Sequence, residues 1–105
     1  MAYKVVFTKP CIQEINEAIT YLLVELGNNP AAIKFEKRLH SVVEKLQEYP
    51  EMFQIVENDL FARKDIRRAI IGAYNLYYVF FSDKKEVVVF CLIHYKRQIK
   101  PLSIH

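Results

Sequence analysis

Glycine, proline and tryptophan are scarce in this sequence: two, four and none among 105 residues. So few backbone breakers exclude a collagen-like repeat, a flexible linker protein and a chain made mostly of loops, all of which need far more glycine or proline. Cysteine is almost as rare. Cys11 and Cys91 stand alone, without CxxC or Cys/His ligand spacing, which excludes a disulfide scaffold and argues against a metal site. Both read as buried, inert thiols in a reduced, cytoplasmic setting. No apolar run approaches the roughly 18 to 20 residues that cross a bilayer, and the opening MAYKVVFTKP carries no apolar signal segment. The expectation is a cytoplasmic protein with no membrane partner.

Apolar residues make up 52% of the chain, including seven Phe and seven Tyr. A single domain of this length buries roughly 60 to 70% of its unfolded surface and folds without staples. Net charge is +3, but it is unevenly spread. Residues 1–60 hold six Lys/Arg and nine Asp/Glu, a net of −3, whereas residues 61–105 hold nine and three, a net of +6. That asymmetry points to an anionic partner for the C-terminal half.

Residues 3–8 (YKVVFT), rich in β-branched and aromatic side chains and stopped by Lys9-Pro10, predict a first strand. Ile12, Ile15, Ile19, Leu22 and Leu26 then recur at helical spacing, predicting a helix from near Pro10 to about Gly27. Asn29-Pro30 reads as the cap and first turn of a second helix, whose apolar stripe is Ala32, Phe35, Leu39, Val42, Leu46 and Tyr49. Residues 51–62 are mixed, with an extended piece at 53–56 and a turn at Asn58-Asp59. Three strands follow: 64–71 ended by Gly72, 74–81, and 86–95 after the turn Ser82 to Lys85. The expected fold is α+β, ordered β-α-α-β-β-β, with a helical hairpin packed on one face of a small antiparallel sheet. Strand 74–81 is apolar on both faces, so its second face needs a cover: a homodimer partner, the 51–62 segment, or another protein.

Several chemistries are missing. There is no GxGxxG, Walker loop, GxSxG, HxxxH or HExxH, and Glu14, Glu17 and Glu44 lie opposite apolar stripes and read as solvated surface. Basic residues collect in two groups, Arg63, Lys64, Arg67 and Arg68 before and on one strand, and His94, Lys96, Arg97 and Lys100 at the end of the last. If those strands adjoin, Tyr74 and Tyr95 would add stacking surfaces to a cationic patch suited to single-stranded RNA. The competing reading is that Lys and Arg protect exposed strand edges. His94, alone among the three histidines, follows an apolar run. It has the titration range of an acid/base in metal-free RNA cleavage, with Arg97 or Arg68 as clamp, and equally the character of a structural hydrogen-bonder at a strand end.

Taken in order, EAITYLLVELGNN, LQEYPEMF, DIRRAIIGAYNLYYVF and VVVFCLIHYKRQ resemble the RelE/ParE superfamily of type II toxin-antitoxin (plasmid stabilisation) toxins, over about residues 3–100. The resemblance implies a growth-inhibiting toxin without cofactor, neutralised by an acidic, partly disordered antitoxin. RelE-like members cleave mRNA on the ribosome; ParE-like members poison DNA gyrase. Under the first, His94, Tyr95, Arg97 and Arg68 would be catalytic: Arg97 matches a late family arginine and His94-Tyr95 is similar to the terminal pair of YoeB-like nucleases. Asn75, however, stands where a RelE-like toxin would carry an arginine, and the long paired helices look more like ParE. Under either target, Arg63, Lys64, Arg67, Lys96 and Lys100 are the expected target-binding cations. A non-toxic interaction module is the third reading.

Overall fold

The computed structural model describes residues 2–56 and 63–96. Strand β1 spans Lys4–Phe7, helix α1 Lys9–Thr20, α2 Asn29–Glu48, β2 Arg67–Ile71, β3 Tyr74–Phe81 and β4 Glu86–His94. The sheet order is β1-β4-β3-β2. Strands β2, β3 and β4 form the expected antiparallel meander, and β1 joins it parallel to β4, with Lys4 opposite Glu86 and Phe7 opposite Val89. The expected α+β order is therefore present, with a mixed sheet.

Each helix begins where its first amides find a side-chain acceptor. The Thr8 hydroxyl accepts from the Cys11 amide at 3.3 Å, with Pro10 in the first turn. At α2 the cap is Asn28, one residue before the position read from the sequence; its Oδ1 accepts from the Ala31 amide at 3.0 Å. Asn28 and Asn29 are both good caps, and the Pro30 ring fits either early position, so sequence could not separate them. Helix α1 also ends differently from expectation. After Thr20 the backbone widens into one π-helical turn, Tyr21–Glu25, and Gly27 reverses the chain at φ +56°. That wider turn breaks the 3.6-residue phase, which is why Leu22 packs on the core while Leu26, expected to do the same, is exposed. Ile12 at the start of α1 and Tyr49 beyond α2 are exposed as well.

The main core lies between the helices and one sheet face. Cys11, Ile15 and Ala18 of α1 and Phe35, Val42 and Leu46 of α2 meet Ala69, Ile71, Leu76, Tyr78, Val87, Val89 and Leu92. Fully burying one such aliphatic side chain stabilises the fold by about 1.5–3 kcal/mol. Tyr78 is wholly buried, and its hydroxyl donates to the Pro50 carbonyl at 2.6 Å. On the other face Tyr77 and Val79 are buried with Ile66, and Val56 packs beside them. Of the three covers considered, the segment before β2 supplies described residues: Ile55 bridges Arg67, and the Val56 amide donates to the Ile66 carbonyl at 2.8 Å. The Asn58-Asp59 turn lies outside the described residues. Strand β2 begins at Arg67 instead of Lys64.

A β-bulge interrupts the β3–β4 ladder. Tyr77 faces Cys91 and Tyr78 faces Val89, so the register shifts by one residue at Phe90, and Phe90 and Cys91 both pack on the second face. Beyond Val89, where β1 has ended, Glu14 of α1 takes over the open edge of β4: its Oε1 accepts from the Leu92 amide at 3.0 Å. This corrects the reading of Glu14 as solvated surface; it is half-buried, whereas Glu17 and Glu44 are exposed as expected. Helical periodicity placed Glu14 off the apolar stripe, and an orphaned strand amide is invisible to that pattern. Glu14→Ala should lower unfolding stability by about 1–2 kcal/mol, with Glu14→Gln retaining most of it, since the glutamine oxygen can still accept. Urea denaturation monitored by circular dichroism measures both.

Candidate functional site

His94 closes β4 opposite Tyr74, the first residue of β3. It lies two residues beyond the buried Leu92 and so shares its face, the side that carries the helices. A column of rings holds it. Phe35 of α2 meets Tyr74 edge-on at 5.3 Å, Tyr74 meets His94 edge-on at 5.1 Å, and Tyr95 lies tilted on His94 at 4.9 Å. The Tyr95 amide donates to the Ala73 carbonyl at 2.7 Å, pinning the strand end to the β2–β3 turn. The Lys96 amide donates to His94 Nδ1 at 3.1 Å. In the neutral ring that bond leaves the proton on Nε2, so His94 offers an N–H to an incoming group. Tyr95 is 60% exposed, and the Lys96 ammonium lies 5.9 Å from its ring centre.

The other sequence-predicted cations do not gather at this point. Strand β3 separates β2 from β4, so the two basic strands are not neighbours. Arg68 alternates with the buried Ala69 and Ile71 and therefore projects from the face opposite His94, where it is exposed. Arg67 faces the helix side at the far end of β2. Its Nη1 donates to the carbonyls of Glu51 and Phe53 at 2.8 and 2.6 Å while the guanidinium covers the Phe80 ring at 5.6 Å. Arg63 grips Asp65 with two bonds of 2.8 and 2.6 Å and stacks on Phe81 at 5.4 Å. Its guanidinium holds the Asp65 carboxyl below the usual carboxylate range, and Asp65 in turn raises Arg63. Lys64 is exposed beside them. Arg97 and Lys100 lie outside the described residues. Asn75, half-buried, sits between Ile70 and Ile93 on the face opposite His94.

Three further cations, not singled out in the sequence, lie against aromatic rings or the β2–β3 turn. Lys84 lies over the same Phe81 ring as Arg63, at 5.6 Å, and Lys85 over Tyr3 at 5.1 Å; as turn residues they gave no signal of an aromatic partner. Arg38 of α2 reaches the β2–β3 turn, where its Nη1 is 3.3 Å from the place a Cβ would take on Gly72. Its spacing of three from the core residue Phe35 is the signal that could have found it.

Metal-ligand chemistry finds no assembled donors: among the described residues no three His, Cys, Asp or Glu side chains group to hold an ion. No helix among them is long and apolar enough to cross a membrane. A surface depression of about 590 Å³ runs along the outer side of α1 past Ile12 and Tyr21 and touches none of the candidate residues. Burial pushes the thiols of both Cys11 and Cys91 up to about 12, with the Glu14 carboxylate adding to it, and burial likewise raises the Tyr78 hydroxyl to about 12. Such thiols are poor nucleophiles. In an unfolded chain a thiol ionises near ~8.5, so the folded state keeps protons that the unfolded state loses. The stability they contribute is complete below that value and disappears as pH climbs toward about 12. Urea midpoints measured from pH 8 upward should therefore fall, and less steeply in Cys11→Ala; iodoacetamide at about pH 8 should label neither thiol until the protein is unfolded.

Comparison with known proteins adds the last observations. The family model described as ParE toxin of type II toxin-antitoxin system, parDE, matches residues 5–99. No curated protein matches the chain. Among solved structures, the chain is similar to the archaeal RelE-RelB complex from Pyrococcus horikoshii OT3, at 17% identity and TM-score 0.60, covering 93% of this chain and 100% of that one. A chromosomal ParDE system from P. aeruginosa shares 12% identity with TM-score 0.64 over 89% and 96% of the two chains. The intact E. coli RelBE toxin-antitoxin complex shares 21% with TM-score 0.57 over 91% and 100%. At these identities the structural likeness is one of fold.

Proposed function

The chain belongs to the ParE toxin family of type II toxin-antitoxin systems, and from that premise we propose that it arrests growth by acting on DNA gyrase and is held inactive by a cognate acidic antitoxin. The observation that carries the gyrase reading is the dispersal of the nuclease set. Asn75 stands where the RelE-like arginine is expected and points away from His94, and Arg68 projects from that same opposite face. A metal-free ribonuclease needs its acid/base and its cationic clamp converging on one phosphate. Here the described members of that set fall on two sides of a sheet.

The antitoxin reading is supported by charge and by exposed apolar surface. Residues 61–105 carry a net of +6, and Leu23, Val24, Leu26 and Ile33 are exposed around the turn between the helices. An acidic segment that folds on contact can use the first for steering and the second for burial. One observation favours a RelE-like second reading: His94 holds Nδ1 as an acceptor, which in the neutral ring puts the proton on Nε2, an arrangement able to protonate a leaving oxygen.

Induced expression in a bacterium separates these. Under the gyrase reading, cells filament and switch on the DNA-damage response with transcripts intact, and His94→Ala arrests growth as the unaltered chain does. Transcript cleavage abolished by His94→Ala would replace it with the nuclease reading. Absence of any growth defect, with the protein folded and soluble, would leave a non-toxic interaction module.

A further inference from the structure

The end of the sheet remote from His94 carries aromatic rings roofed by cations. Phe81, which closes β3 on the second face, has the Arg63 guanidinium at 5.4 Å and the Lys84 ammonium at 5.6 Å from its centre. Phe80, one residue earlier and on the helix side, has Arg67 at 5.6 Å and meets Tyr3 edge-on at 6.0 Å, and Tyr3 carries Lys85 at 5.1 Å. Neighbouring rings on opposite faces of one strand thus gather four cations at a single rim, with the exposed Lys64 next to Arg63. The length of β4, Glu86 to His94, puts this rim about 27 Å from the histidine.

We propose that Lys64, Lys84 and Lys85 bind the phosphate backbone of duplex DNA at this rim. Three features carry this. A ring orders a cation without cancelling its charge, which a paired carboxylate would cancel. Among the described residues neither Lys84 nor Lys85 forms an ion pair, so each keeps a full charge on a side chain whose freedom is already reduced. Lys85 also stands at φ +53°, a left-handed conformation that suits glycine or asparagine better than lysine, and such outliers gather at sites of function. The rim is wide enough as well: four strands spaced by about 4.8 Å span roughly 14 Å, the rise of about four phosphates along one DNA strand. Four carboxylates lie in the same region, Glu51, Asp65, Asp83 and Glu86, against six cations once Lys4 is counted, a net of +2. Of these carboxylates, Asp65 is already engaged by Arg63.

The covered rings decide between partners. Single-stranded nucleic acid binds by stacking its bases on open aromatic faces, and an acidic peptide that folds on its partner needs apolar grooves or pockets. Here each ring of the rim is roofed by a cation. What is left for a ligand is positive charge, which contacts a DNA backbone without regard to sequence. Duplex binding at the rim is independent of whether gyrase is the target, and a chain that arrests growth without it would leave the functional reading standing.

The test uses the purified full-length chain and a short fluorescent DNA duplex, read by anisotropy across a salt series. Lys84→Gln combined with Lys85→Gln should weaken binding about tenfold and make the salt slope shallower by about 1.8, two phosphate contacts at about 0.9 each. Lys64→Gln alone should take about 0.9 from the slope. Lys34→Gln, which removes an exposed charge on α2, should stay within about twofold of the unaltered chain. Unlabelled duplexes of unrelated sequence should compete equally, as backbone binding requires. Thermal unfolding of each variant separates lost binding from lost folding. Should the turn variants fail to fold, the Lys64→Gln slope and the Phe81 ring resonances of the unaltered chain, which must move when duplex is added, carry the test. Equal binding by the double variant, an equal loss in Lys34→Gln, static Phe81 resonances, or tighter binding of the single strand or of labelled polyglutamate than of the duplex would overturn the proposal.

Discussion

Four residues of β1, paired in parallel with the start of β4, tie one end of the chain to the other. Parallel neighbours cannot be joined by a tight turn. The connection has to leave the sheet and return, and α1 and α2, the first part of that connection, lie across one face before β2 and β3 are added. The order β1-β4-β3-β2 follows, with β4 enclosed on both sides over its first half. Where β1 stops, Glu14 bonds the Leu92 amide on the open edge of β4 and Thr8 caps α1, so the helix is docked by the same edge that it protects. The position of His94 inherits all of this, since it lies at the end of β4 and is propped from below by α2 through Phe35 and Tyr74.

Much of that architecture was legible. Strand β3 falls at the residues read from its aromatic run, and β4 ends one residue short of expectation. Both helices appear because their apolar positions recur at three and four. The misses share a cause: each depends on a group distant in sequence or on a small change of helical phase. Glu14 looked solvated because its partner is an amide 78 residues away. Leu26 looked buried because a π-helical turn leaves no mark in a 3.6-residue count.

The candidate site was legible in composition and less so in assembly. His94, Tyr95 and Lys96 are together because they are adjacent in sequence, and Tyr74 joins them through the ladder. The separation of Arg68 from His94 depends on strand order and on alternation, neither of which the spacing of basic residues reveals. The cations of the β2 end are largely absorbed by structure: Phe80 and Phe81 are roofed by Arg67, Arg63 and Lys84, charges that widen an aromatic layer as well as confer a field. Family resemblance identified the chain without deciding these contacts.

The register shift at Phe90 gives the position of His94 a parity. Val87 and Val89 point toward the helices, and in an unbroken strand the even-numbered Leu92 and His94 would point away. One surplus residue reverses the count, so the end of β4 turns its histidine toward Tyr74 and the α2 side that carries Phe35, away from the face of Arg68 and Asn75. Two toxins of this fold could thus carry the same terminal His-Tyr letters and present them to opposite hemispheres of the molecule, depending only on whether an odd or an even number of residues separates the pair from the core valines. Comparison of such proteins by aligned motif alone would score them as alike.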